Sequence, residues 1–278
     1  MEIYSIVPFI IALVAFILFF FPTKGKKYFG IAGWSAFVIA LITLLPHLIE
    51  TEGNVFYPIL IILILILLIP TIRLLLKENP YIYTFTTGVG VATIIYAPFE
   101  IITSLGNWLI GTVVYWVQIV FEALGFPYQM YSWNFFESLV PATQGYLDQI
   151  ILGCTGITAI AVLVGVVFLT KTTVLRKILL VIIATVPIYI INIFRNVFVI
   201  MAYFYQWFPW CEEWFAGNPI PGFASYFWSH NVMCEGGAFL IIIIIAIILF
   251  RCTPGLVSTI RNIIDAYVTD IKELTRKR

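Results

Sequence analysis

Long apolar runs decide what this chain can fold into. The stretches 3–21, 29–49, 56–72, 81–103, 149–169, 178–202 and 231–250 consist almost wholly of aliphatic and aromatic residues. Roughly 20 apolar residues in a helix cross the ~30 Å hydrocarbon core of a bilayer. Within that core every backbone amide and carbonyl needs a partner inside the protein, which the helix supplies run by run. Charged residues make up only 10% of the 278, whereas a soluble domain carries about 25%. The expected fold is therefore all-α, a polytopic transmembrane helical bundle. Residues 1–250 form its single transmembrane domain and 251–278 a basic amphipathic tail on the cytoplasmic surface.

The net charge of +1 carries no signal for nucleic acid, and what matters is where the charges fall. Lys24, Lys26 and Lys27 follow the first run, Arg73 and Lys77 the third, and Lys171, Arg176 and Lys177 a later one. Arg251 opens the tail, which ends Arg276-Lys277-Arg278. Basic loops lie in the cytoplasm, so the gaps at 50–55 and 203–228, with their glutamates, face outside a plasma membrane. The run Ile3–Phe21 lacks a basic leading region and a small-residue cleavage site, and reads as a retained helix. The segment 107–124 is apolar enough to span, yet Gly111, Tyr115, Gln118 and Glu122 share one helical face. The Arg73/Lys77 and Lys171–Lys177 loops share a side only if an even number of spans separates them. That parity favours an interfacial or re-entrant helix at 107–124 and seven spans; eight spans, breaking the charge rule once, are the alternative. Residues 104–148 then form an external aromatic cap.

Ionisable groups within such runs cost about 2.5–3.5 kcal/mol on insertion scales and need a reason. Arg195 lies in Ile190-Ile-Asn-Ile-Phe-Arg-Asn-Val-Phe-Val199, sharing a face with Asn192 and Asn196. The plain reading is an arginine that reaches the headgroups or braces another helix. His230 opens the last run in Trp228-Ser-His-Asn-Val-Met-Cys-Glu235, with Asn231 beside it, Cys234 a turn below and Glu235 next. Its plain reading is a cap. Cys154 sits in Leu152-Gly-Cys-Thr-Gly-Ile157. A lone membrane cysteine is usually a small hydrophobe, but glycine on both sides lets another backbone approach the sulfur. Depth links the three. Residue 195 is ~25 Å beyond the start of its run at 1.5 Å per residue, and 154 and 230 open runs descending from the same side. All three reach the outer layer.

A thiol needs a base or a positive charge to become a nucleophile. His230 can take its proton and return it to a leaving amine. Arg195 stays charged and can stabilise a thiolate, an oxyanion or a carboxylate. Asn196 and Asn231 can orient partners, and Glu235 can hold the imidazole or pair with Arg195. The set suits attack on a carbonyl, a thioester and transfer to a second nucleophile. The four cysteines (154, 211, 234, 252) show neither a CxxC pair nor metal spacing, so no metal and no cofactor is expected.

The order of these segments, LGCTGI, then FRN about forty residues on, then SHN, resembles the exosortase/archaeosortase family, mainly over 149–250. Residues 1–148 match only as generic spans. The resemblance implies a multi-pass, sortase-like cysteine transpeptidase with Cys154 as nucleophile, Arg195 as electrostatic partner and His230 at a third position where the family carries Arg or His. It implies as partners exported surface proteins ending in a sorting motif, an apolar helix and a basic tail. In the archaeal branch, which heavy isoleucine use favours here, it also implies a membrane-lipid acceptor. Cys234 is the rival nucleophile. From another class, a transporter would use Arg195, Glu235 and Glu100 in a substrate pathway, but no paired broken helices mark one. A quinone-linked thiol oxidoreductase would want paired external cysteines.

Overall fold

The structure, a computed structural model, describes residues 3–52 and 56–276. Residues 53–55 of the acidic gap and Lys277 and Arg278 of the basic end lie outside these. Along the chain run α1 (Ile3–Phe19), α2 (Lys26–Glu52), α3 (Phe56–Leu76), α4 (Pro80–Ile101) and α5 (Thr103–Leu124). A small sheet follows, of β1 (Tyr128–Ser132), β2 (Phe135–Ser138) and β3 (Leu147–Gln149), then α6 (Ile157–Phe168) and α7 (Val174–Phe204). The last elements are α8 (Phe223–Phe227), a π-helical turn (Trp228–Cys234), α9 (Glu235–Cys252) and α10 (Pro254–Arg276).

Among the described residues six helical stretches are long and apolar enough to cross a membrane: Lys26–Pro46, Pro58–Leu76, Pro80–Ile101, Thr103–Leu124, Val174–Phe204 and Phe223–Cys252. Ile6–Phe19 and Ile157–Phe168 are shorter apolar helices. The segment 107–124 belongs to one unbroken helix of 22 residues, ~33 Å long, with no re-entrant turn, so of the expected readings the interfacial helix and the span remain. Its polar stripe is not the packed face, since Gly106, Ile110, Val113, Val114, Val117 and Phe121 are the buried residues. The run 149–169 is not one helix. Its first residues end β3 and form a 3-10 turn at Leu152–Thr155, and α6 covers only 12 residues, ~18 Å. The all-α expectation likewise gains a small antiparallel sheet of order β1-β2-β3.

Local chemistry sets the helix ends. Asn79 caps α4, its Oδ1 accepting from the amides of Tyr81 (3.0 Å) and Ile82 (3.2 Å), with Pro80 at the first helical position. Gly125, at φ 62°, ends α5 with the Phe126 amide reaching back to the Phe121 carbonyl. That left-handed residue turns the chain into the sheet.

The chain divides into two compact units, residues 1–101, 161–182 and 248–278 in one and 102–160 with 183–247 in the other. In the first, α1 packs on α2 and α4, and α2 on α3. Gly88 and Gly165 let α4 and α6 touch backbone to backbone. A Cβ on Gly88 would lie 2.9 Å from the Gly165 carbonyl oxygen, and one on Gly165 2.6 Å from that of Gly88. Close approach at small residues is how helices gain packing energy where burial from water gives none. The expected tail is α10, and it is docked on α3 and α4. Tyr267 Oη and Thr71 Oγ1 are 2.6 Å apart, and Asp270, 1% exposed, accepts from Arg73 Nε (2.9 Å) and Lys77 Nζ (2.8 Å). A carboxylate so buried is held by its two cations.

The second unit builds its core from Val113, Val117 and Phe121 of α5, Phe126, Phe136 and Ile150 around the sheet, and Ile193, Val197, Ile200 and Phe204 of α7. Its aromatic loop packs Trp207, Phe208 and Trp210 edge to face toward Trp228, whose indole N–H donates to the Trp210 carbonyl at 2.9 Å.

Candidate active site

Three elements of the second unit carry the site. The first is the turn holding Cys154. Gly156 ends it at φ 77°, a conformation that costs other residues about 1–2 kcal/mol. A Cβ on Gly156 would also lie 3.2 Å from Asn192 Cγ, so glycine admits the α7 side chain. Thr155, buried, donates its hydroxyl to the Leu152 carbonyl at 2.7 Å. Cys154 therefore lies in a 3-10 turn ahead of α6 rather than at the head of a span, and Gly153 beside it is exposed.

The second element is the polar stripe of α7. Asn192 and Asn196 are 8% and 5% exposed. Their Nδ2 groups both donate to the Cys154 carbonyl, at 2.7 and 2.8 Å, and Asn196 also donates to the Asn192 carbonyl at 2.8 Å. A carbonyl with both lone pairs filled cannot swing, which fixes the cysteine backbone.

The third element is the π-turn. The helical stretch Phe223–Cys252 begins seven residues before His230, so the histidine lies within a continuous helix rather than opening one. Such π-turns within α-helices are frequent at functional sites. His230 stacks on Tyr226 at 5.0 Å and 12°. Its Nε2 lies 3.0 Å from Arg195 Nη2, and its Nδ1 lies 3.1 Å from Asn231 Oδ1. Arginine only donates, so Nε2 accepts and the proton sits on Nδ1, donated to Asn231.

Cys154, Asn196 and His230 line one crevice of about 10 Å³, together with Asp148, Ile200 and Tyr226, room for about one water molecule. Of the residues expected from sequence, Cys154, Asn196 and His230 thus meet in the crevice, and Arg195 and Asn231 hold the imidazole. Glu235 begins α9 and is not one of the residues lining it. Cys234 ends the π-turn and does not line it either.

Sequence reasoning missed Asp148, on β3 opposite Phe136. Its signal was weak: an aspartate in a three-residue strand, without periodicity. Burial pushes its carboxyl up to about 6, against the downward pulls of the Gln149 amide and the Arg195 charge. A carboxyl that binds its proton more tightly when folded loses stability as pH rises from its ordinary value of 3.8 through 6, and the full cost is present above 6. Asp148→Asn should therefore raise the melting temperature at pH 7.5 and leave it unchanged at pH 3.5, measured by scanning calorimetry in detergent. A lower melting temperature at pH 7.5 would mean that the attraction to Arg195 outweighs desolvation.

The profile of the family described as Transmembrane exosortase (Exosortase_EpsH) matches residues 1–218, a stretch that includes Cys154 and Arg195 and stops short of His230. Archaeosortase A of Natronomonas pharaonis is 25% identical over 256 residues, covering 86% of this chain and 80% of that protein. Archaeosortase A of Haloferax volcanii is 23% identical over 269 residues, covering 87% and 86%. No solved structure matches. With several apolar helices able to cross a bilayer, this is a multi-pass membrane protein, and the chain belongs to the transmembrane exosortase family.

Proposed function

We propose that the protein is a cysteine transpeptidase. It cuts exported surface proteins near the C-terminus, ahead of an apolar helix and basic tail, and passes the new C-terminus to an acceptor, a membrane lipid. The observation that carries this reading is the shared crevice of Cys154 and His230, with Arg195 hydrogen-bonded to the imidazole. The positive-inside rule puts the site at the extracytoplasmic face and α10 in the cytoplasm.

In the resting arrangement Arg195 occupies Nε2, the lone pair His230 needs in order to act as a base. Substrate binding resolves this. As the scissile carbonyl enters, Arg195 turns its N–H groups to the carbonyl oxygen and Nε2 becomes free to accept the Cys154 proton. The thiolate attacks the carbonyl carbon, and Arg195 stabilises the oxyanion. The C–N bond then breaks, the amine leaving with the proton held by His230, and a thioester remains on Cys154. The acceptor attacks that thioester, gives its proton back through His230, and restores the thiol. Asn192 and Asn196 keep the sulfur in place throughout by anchoring the Cys154 carbonyl.

Hydroxylamine tests the thioester. Membranes bearing the protein, incubated with surface proteins from the same cells and hydroxylamine, should yield substrates whose new C-terminus is a hydroxamate, detected by mass spectrometry of the C-terminal peptide. A C-terminus that is always a free carboxylate points to direct hydrolysis. Unprocessed substrates, with lost solute uptake on deletion of the protein, would favour a transporter.

A further inference from the structure

The first unit holds a cavity of about 420 Å³ that the transpeptidase reading leaves without a task. It lies where three helices begin. Pro80 and Tyr81 open α4, Arg176 lies in the first turn of α7, and Pro254 and Gly255 open α10. Each helix N-terminus carries a partial positive charge, and three of them point toward one space. Lys171 and Arg176 add two full charges, and none of the lining residues is acidic. Lys171 has no ion-pair partner among the described residues, and Arg176 spends one Nη2 hydrogen on the Cys252 carbonyl at 2.6 Å. Its remaining N–H groups are left for a ligand.

The caps of the three helices differ. Asn79 closes α4, and the Thr173 hydroxyl accepts from the Arg176 amide at the start of α7. Thr253 holds the same position before α10, but its hydroxyl caps nothing. The residue is 8% exposed and its Oγ1 is buried with no hydrogen-bond partner among the described residues. A buried hydroxyl without a partner costs about 1–3 kcal/mol, so its place on the wall of a basic cavity marks a missing acceptor. Gly255, second in α10, faces open space where a side chain would stand, so its backbone is open to a ligand.

The geometry points to a phosphate-binding site formed by Lys171, Arg176, Thr253 and the start of α10. Fixed donors, three helix dipoles and two cations around one volume suit the charge and the oxygen-rich surface of phosphate. The cavity lies at helix ends, the level of headgroups, so the phosphate can belong to an anionic lipid or be free in solution.

Thermal unfolding of the full protein in maltoside micelles tests the site, because a ligand that binds the folded state raises the melting temperature with concentration. The probes are dihexanoyl phosphatidic acid, dihexanoyl glycerol and inorganic phosphate. A rise with phosphatidic acid alone assigns a lipid phosphate; a rise with inorganic phosphate as well assigns a free one. In Lys171→Gln/Arg176→Gln the apparent affinity should fall by about tenfold or more. Gly255→Leu, which fills the cavity without changing charge, should also weaken binding, and Lys24→Gln, an exposed charge elsewhere, should not. The proposal is overturned if neither phosphate probe raises the melting temperature, if the glycerol does so equally, or if Lys24→Gln loses as much affinity as the double variant. Because the readout is binding, these results do not depend on whether the protein is a transpeptidase.

Discussion

Cells carrying Cys154→Ala should leave the C-terminal segment on surface proteins that the wild-type protein cuts, with processing lowered by about a thousandfold or more, the usual scale for loss of a nucleophile. The measurement is the ratio of intact to processed substrate, resolved by mass spectrometry or gel mobility. The variant should still fold. Asn192 and Asn196 bind the Cys154 main-chain carbonyl, which alanine keeps, so its melting temperature should stay close to that of the wild type. Cys234→Ala is the matched control, because that thiol ends the π-turn away from the crevice-lining set. Full processing by Cys154→Ala together with loss in Cys234→Ala would move the nucleophile to Cys234. Serine at 154 sharpens the test. Its hydroxyl is a far weaker acid than the thiol, so Cys154→Ser should also fail while binding substrate, and a substrate complex should accumulate.

Arg195→Gln should cost about a hundred- to a thousandfold in kcat, the effect of removing one donor to a developing oxyanion, with a smaller change in KM. Glutamine can still offer a hydrogen bond to His230 Nε2, 3.0 Å away in the wild type, but it carries no charge and lacks the guanidinium fork. Arg195→Lys separates the two contributions. Lysine keeps the charge and loses the planar arrangement of donors, so a partial recovery over glutamine measures how much of the role is charge alone. A merely structural arginine would behave differently. It would lower the melting temperature in both variants and leave kcat of the folded fraction intact, and that pattern would remove Arg195 from the chemistry.

Much of this arrangement was legible in the chain before any coordinate. The stripe Asn192, Arg195, Asn196 follows from 3.6-residue periodicity, and the flanking glycines marked Cys154 as a sulfur that another backbone can approach, while the turn that holds it was not legible. The roles of the asparagines were not legible. Asn192 and Asn196 act on a backbone carbonyl some forty residues earlier, a contact that no local pattern encodes. Asp148 was hidden for a similar reason, since three residues of strand give too few alternations to reveal a face. The parity argument took 149–169 as a full span, whereas the 3-10 turn at Leu152–Thr155 leaves α6 only 12 residues of it.

The apolar runs and scattered charges by themselves determined a helical membrane protein, because hydrocarbon offers no partner for backbone polar groups and few charges survive in it. They also picked out a cysteine, an arginine and a histidine as residues too costly or too oddly flanked to be packing alone. Only the tertiary structure decided that the cysteine and histidine face one crevice, that the arginine holds the imidazole, and that the starts of α4, α7 and α10 surround a basic cavity. Hydrophobicity along a chain is a one-dimensional quantity that fixes which segments enter the bilayer. Hydrogen-bond partners and converging dipoles depend on distances between segments far apart in sequence, and folding alone sets those.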